Sequence, residues 1–176
     1  MTRKEFLIFI GGAGASALAC STDALAETPS TFRAKRAVTE YIGELDEAPE
    51  AVFPLLCPVR EYEWLDGWKS KMVYSNSGFA EEDCIFTTPL EPGIWNTDHY
   101  EPPKRIAFTV VSSEQVNRIC LSLERTVSGG TRLKWQRIFT GLNEAGNAKI
   151  DAWKTDTDRL LTHAIGFFLK TGKMAH

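Results

Sequence analysis

The sequence has no basic excess: 20 Lys and Arg stand against 23 Asp and Glu, a formal charge of −3. It shows no basic stripe either, which argues against a nucleic-acid partner. There is no Cys-x-x-Cys pair and no Cys/His group at metal-ligand spacing, so no metal site is expected. Gly-x-Ser-x-Gly, His-Glu-x-x-His, a phosphate loop and a dinucleotide fingerprint are all missing, and no cofactor is expected. Internal repeats, low-complexity segments and linkers are lacking as well. After residue 26 no uncharged run approaches the ~20 residues of a membrane-spanning helix, so the mature chain is expected to carry no transmembrane span.

What is abundant is aromatic. Of 176 residues, 11% are Phe, Trp or Tyr, including five Trp and ten Phe. Side chains this large must fill a core or line a cavity. The length fits one domain, and the hydrophobic fraction of 43% is that of a globular chain.

The first 26 residues predict an address rather than part of the fold. Arg3 and Lys4 form a positive start, and Phe6 to Ala19 is uncharged and interrupted by Gly11, Gly12 and Gly14. Ala24-Leu25-Ala26 follows as an A-x-A cleavage site. This order is that of a secretory signal. The expected mature domain is therefore residues 27–176, exported to the periplasm. Arg3-Lys4 resembles the twin-arginine pattern with Lys at the second basic position. Ala17-Leu18-Ala19-Cys20 resembles a lipobox, giving lipid anchorage through Cys20 as the alternative. Cleavage after Ala26 leaves Cys57, Cys84 and Cys120. Three thiols cannot all pair, so structural burial, one disulfide and a catalytic thiol are the readings open to them.

Along the mature chain, Phe32 to Ile42 reads as a strand. Glu47 to Leu56 reads as a short helix, with Pro49 in its first turn where a missing N–H costs nothing. Cys57-Pro58 breaks it, and Val59 to Trp64 is a second helical turn. Six more strands follow at Trp68–Ser75, Asp83–Thr88, Ile94–Tyr100, Arg105–Val111, Val116–Val127 and Thr131–Gly141. The turns between them are rich in Gly, Pro, Asn and Ser. Strands this close are hairpin-linked and antiparallel. Asn143 to Asn147 is a polar corner, and Ala148 to Thr171 has the apolar spacing of one long helix. The α+β order predicts a seven-stranded curved antiparallel sheet wrapped around the C-terminal helix, closed at one end by the two short helices. Such a grip contains a cavity.

Ala48-Pro-Glu-Ala-Val-Phe-Pro-Leu-Leu, the run from Cys57 to Trp68, and Trp135 with Thr140-Gly-Leu-Asn support a resemblance. Residues 31–171 resemble the START/polyketide-cyclase superfamily, or SRPBCC, whose birch-pollen-allergen-like members share the helix-grip fold. The last two segments resemble a bacterial subgroup without an assigned activity. The resemblance implies an apolar pocket for a lipid, sterol, polyketide or aromatic ligand. It implies no catalytic residues, because the superfamily shares no common set.

Alternation along strands assigns faces. The expected lining is Trp68, Met72, Tyr74, Trp95, Phe108, Leu121, Trp135, Arg137 and Phe139, joined by Trp153 and Phe168 from the helix. His99 shares a face with Trp95 and Thr97. It is either a hydrogen-bonded structural residue or an acid–base group. Arg137 sits between Trp135 and Phe139, and a buried guanidinium needs a partner. Glu40 or another acid, escape to a rim, or an anionic ligand would each satisfy it. Arg60, Glu61, Glu63 and Asp66 read as surface ion pairs and a turn. The expected function is non-catalytic binding of a hydrophobic or amphipathic small molecule, as an exported carrier or sensor. The alternative is a cyclase, dehydratase or isomerase using His99 and Arg137. A co-chaperone-like interaction module is a third reading, weakened by export. The sequence leaves the oligomeric state open.

Overall fold

The computed structural model describes residues 32–153 and 156–175. The expected leader and Cys20 lie outside the described residues.

Seven strands form one antiparallel sheet: β1 (Arg36–Leu45), β2 (Lys71–Tyr74), β3 (Ile85–Thr87), β4 (Ile94–Glu101), β5 (Arg105–Val111), β6 (Gln115–Arg125) and β7 (Thr131–Gly141). Their spatial order is β1-β7-β6-β5-β4-β3-β2, so the first strand pairs with the last. Between β1 and β2 lie α1 (Pro49–Val52) and two 3-10 turns, Phe53–Leu56 and Glu61–Glu63. Pro49 occupies the first turn of α1, where it removes no helical hydrogen bond.

Burial alternates cleanly on the two longest strands. On β7, Thr131, Leu133, Trp135, Arg137 and Phe139 are buried, and Arg132 points to solvent. On β6, Asn117, Ile119, Leu121 and Leu123 are buried. The 10 register pairs of β1 with β7 join the strand that opens the domain to the strand nearest its end.

The C-terminal helix differs from expectation. Instead of one helix over Ala148–Thr171 there are two, α2 (Glu144–Asp151) and α3 (Thr157–Thr171). The expected polar corner is the start of α2, with the Asn143 side chain accepting from the Gly146 N–H at 2.9 Å. The apolar positions keep one helical phase across the break, which hides it. The polar run from Lys154 to Asp158 supplies a second set of N-cap-type residues, and Asp156 stands at the N-cap of α3. α3 packs on β1, and Gly43 permits the approach. A Cβ there would lie 2.8 Å from Thr162 Cγ2.

Two strand expectations are also corrected. The segment expected at Trp68–Ser75 pairs only at Lys71–Tyr74, with a register shift between Met72 and Tyr74. In β4 the register slips between Thr97 and His99. A bulge of this kind exchanges faces for the residues beyond it. Trp95 and Thr97 stay inside, and Tyr100 turns inward to meet Phe53 at 5.6 Å between ring centroids. His99 is thereby carried off the face it was expected to share with them.

Candidate functional site

A cavity of about 540 Å³ lies between the sheet, the 3-10 turn after α1, and the α2–α3 junction. Well-packed interiors leave few voids larger than a water molecule. This volume is instead in the range of small-molecule pockets, ~300–1,000 Å³. All five tryptophans of the chain line it: Trp64, Trp68, Trp95, Trp135 and Trp153. Phe108, Ile119 and Leu121 from β5 and β6, Phe139 from β7 and Leu161 from α3 complete the apolar wall. Leu90, Lys149 and Ala152 belong to the wall and are exposed, which puts the mouth between the β3–β4 loop and the end of α2.

Rings hold one another in place. Trp68 meets Trp95 edge-on at 5.6 Å, and Phe86 stacks on Trp95 at 5.3 Å. Four of the five indole N–H groups are satisfied by protein. Trp64 donates to Leu55 O at 2.7 Å, Trp68 to Pro58 O at 2.8 Å, Trp95 to Glu91 O at 3.1 Å and Trp135 to Thr162 Oγ1 at 2.9 Å. The fifth, Trp153 Nε1, is buried without a partner. Its ring lies against Phe139, 4.8 Å between centroids.

Arg137 is 4% exposed. Its partner is an acid other than Glu40: Nε donates to Asp158 Oδ1 of α3 at 2.7 Å. Glu40 instead accepts from Gln136 and pairs with Lys134 on the outer face. The guanidinium also lies 5.5 Å from the Trp135 ring and 5.1 Å from the Trp153 ring, within cation–π range. Thr162 links the group, donating to Asp158 O while accepting from Trp135. Arg137 Nη1 has no hydrogen-bond partner.

Two carboxyl groups line the same cavity, Glu61 and Glu91. The Glu61 side chain is half-buried at the cavity wall, and the desolvation of its carboxyl holds it well above the ordinary glutamate value of 4.5. Arg137 opposes that shift and Glu91 adds to it. Glu91 accepts from Asn117 Nδ2 at 3.1 Å, and Asn117 Oδ1, on a residue 1% exposed, is left unpaired. Neither glutamate was anticipated as a lining residue. Glu61 was grouped with Arg60, Glu63 and Asp66 as a surface cluster. That reading holds for Arg60 and Glu63, which pair at 2.7 Å. The missed signal is a helical stripe: Glu61, Trp64, Leu65 and Trp68 fall at i, i+3, i+4 and i+7. The Trp64 and Leu65 N–H groups both donate to Glu61 O.

Of the expected lining, Trp68, Trp95, Phe108, Leu121, Trp135, Arg137, Phe139 and Trp153 meet at this cavity. Three do not. Met72 lies in a separate hollow with Val59 and Tyr62, on the other side of the Trp68 segment. Tyr74 is 52% exposed, with its hydroxyl donating to Asn76. Phe168 packs on the core two turns of α3 beyond Leu161, past the cavity wall. His99 also stands apart, its Nε2 3.5 Å from Glu101 Oε2. Cys57, Cys84 and Cys120 are free thiols. Burial pushes the Cys57 thiol up to about 11, far from the reactive thiolate form.

A seven-stranded antiparallel sheet closed around a cavity by a C-terminal helix defines a helix-grip protein. No family model matches the sequence, and no curated protein is significantly similar to it. Solved structures do share the fold. Norcoclaurine synthase from Thalictrum flavum, in complex with dopamine and hydroxybenzaldehyde, superposes with a TM-score of 0.59 at 11% identity, covering 78% of this chain and 88% of that one. Ara h 8.0201 gives 0.59 at 12%, covering 78% and 99%. CalU16 from Micromonospora echinospora gives 0.55 at 15%, covering 80% and 88%. The chain thus shares the helix-grip fold of these structures.

Proposed function

We propose that the protein binds a hydrophobic or amphipathic small molecule in the tryptophan-lined cavity. The observation that carries this reading is a void of about 540 Å³ whose lining residues include Arg137 and Trp153, each with a buried N–H that no protein atom accepts. A buried unmet donor is costly in an apolar setting, and a ligand oxygen would remove the cost. A ligand hiding ~300 Å² of apolar surface and a similar area of wall gains roughly 15 kcal/mol at ~25 cal/mol per Å². Association costs about 4–15 kcal/mol, so micromolar affinity is within reach. The test is a titration of intrinsic tryptophan fluorescence with a neutral flavone. Saturable quenching is the expected result, because every tryptophan borders the site. An unchanged spectrum at the solubility limit refutes the reading.

The same proposal extends to place and partner. The leader of residues 1–26 supports export and cleavage after Ala26, as a periplasmic carrier or sensor. N-terminal sequencing of the exported form would then begin at Glu27. A lipidated Cys20 at the N-terminus would replace the carrier by an anchored protein. One observation favours an enzyme as second reading: a half-buried carboxyl with a raised pKa, Glu61, lines the cavity. Acid–base chemistry would then rest on Glu61, because His99 is not at the cavity.

A further inference from the structure

The charges around the cavity do not balance. Arg137 is already matched by Asp158, and Lys149 at the mouth is matched by Glu114. Glu61 and Glu91 remain, and among the described residues no cation forms a salt bridge with either. An anionic ligand would therefore meet two carboxyl groups and a guanidinium that is already paired. The notion that Arg137 awaits a carboxylate does not survive this arrangement. Aromatic faces add to the bias, since an indole ring attracts a desolvated cation.

We propose that the polar end of the cavity is a site for a protonated amine on an otherwise aromatic or apolar molecule. Glu61 and Glu91 hold the ammonium, and an oxygen of the same molecule accepts from Arg137 Nη1 and Trp153 Nε1. This rests on the cavity being a ligand site. Two features independent of the glutamates point to a ligand there. Arg137 is 4% exposed, lines the cavity and carries a free N–H. Trp153 borders the same space and is the one indole with its N–H unmet.

The proposal makes binding a proton-linked event. Glu61 faces Arg137 from β7 and Glu91 from the β3–β4 loop, with Lys149 on α2 and Asp158 on α3 already neutralised by their partners. Without a ligand, burial favours the neutral acid at Glu61. An arriving ammonium supplies the missing counter-charge, so Glu61 ionises and its proton passes to the buffer. Amine affinity should accordingly rise with pH until Glu61 is ionised in the empty protein.

Calorimetric titration with three matched probes tests this: 5-methoxytryptamine, neutral 5-methoxyindole and anionic 5-methoxyindole-3-acetic acid. Close buried charge pairs are worth ~1.5 kcal/mol or more, so the amine should bind at least about tenfold tighter than the neutral indole. The acid should bind weakest. Repeating the amine titration in buffers of different ionisation enthalpy should reveal proton release at mildly acidic pH. Glu61→Gln should abolish the release and most of the amine preference while leaving the neutral indole bound. Glu91→Gln should cut the preference but keep the release, which separates the two groups even if one variant folds poorly. Binding of the neutral indole with no amine preference, or stronger binding of the acid, overturns this inference and leaves the cavity's role as a ligand site standing. No binding of any probe overturns both.

Discussion

The Arg137–Asp158 pair ties the middle of β7 to the first turn of α3, and replacing Asp158 with Ala tests how much the fold depends on it. The side chains are 5% and 3% exposed and meet at 2.7 Å. Truncating Asp158 leaves the guanidinium buried against Trp135 and Trp153 without its hydrogen-bonded carboxylate. Breaking such a pair from one side costs about 3–5 kcal/mol, because the remaining charge stays desolvated. Domains of this size have a total stability of ~5–15 kcal/mol, so the variant should lose about a fifth of it or more. Equilibrium unfolding in urea, monitored by tryptophan fluorescence, reads the loss as a lower midpoint at similar slope. The double variant Arg137→Met/Asp158→Leu removes both charges and should recover most of that loss. A single-variant cost below ~1 kcal/mol is the value of an exposed pair and would refute the argument. So would a double variant no more stable than Asp158→Ala.

Two further outcomes follow from buried titratable groups. Above pH 4.5 the unfolded chain releases the Glu61 proton while the folded chain retains it, so this residue lowers stability as pH rises, until the folded carboxyl also ionises. Glu61→Gln should remove that decline, and its stability advantage should grow from mildly acidic to mildly alkaline pH; an advantage independent of pH would contradict the assignment. In thiol titration of the native protein, Cys120, which is only half-buried, should react well before Cys57 and Cys84, with Cys57 held protonated by burial; equal rates for all three would contradict the burial argument.

Sequence reasoning succeeded where one face of a regular element decides the outcome. Alternation through Leu133, Trp135, Arg137 and Phe139 placed β7 correctly because a one-residue slip would expose every one of them. It failed at local irregularities. The bulge in β4 breaks the alternation that had carried His99 inward, and no Gly or Pro marks it: Asn96-Thr97-Asp98-His99 sits within an otherwise continuous strand pattern. The interruption between α2 and α3 was hidden because Ile150, Trp153, Leu161 and Ile165 stay in helical phase across it. The polar end of the cavity was the least legible part. Charged residues in short turns are usually solvated, and Glu61 was assigned by that rule. Asp158 was overlooked as the partner of Arg137 because the contact spans two elements whose mutual placement pattern alone does not give. Yet Asp158, Thr162 and Ile165 do fall on one face of α3, and all three are buried.

The most direct test of a ligand-holding cavity is native mass spectrometry with saturating flavone, on the native chain beside Leu121→Trp. Leu121 is 3% exposed and borders the void, so an indole there should occupy the ligand's space without uncovering the core. The account predicts one flavone on each native molecule and none on a Leu121→Trp variant that melts cooperatively. A native chain that carries no flavone, or a variant that carries as much as the native chain, would contradict it.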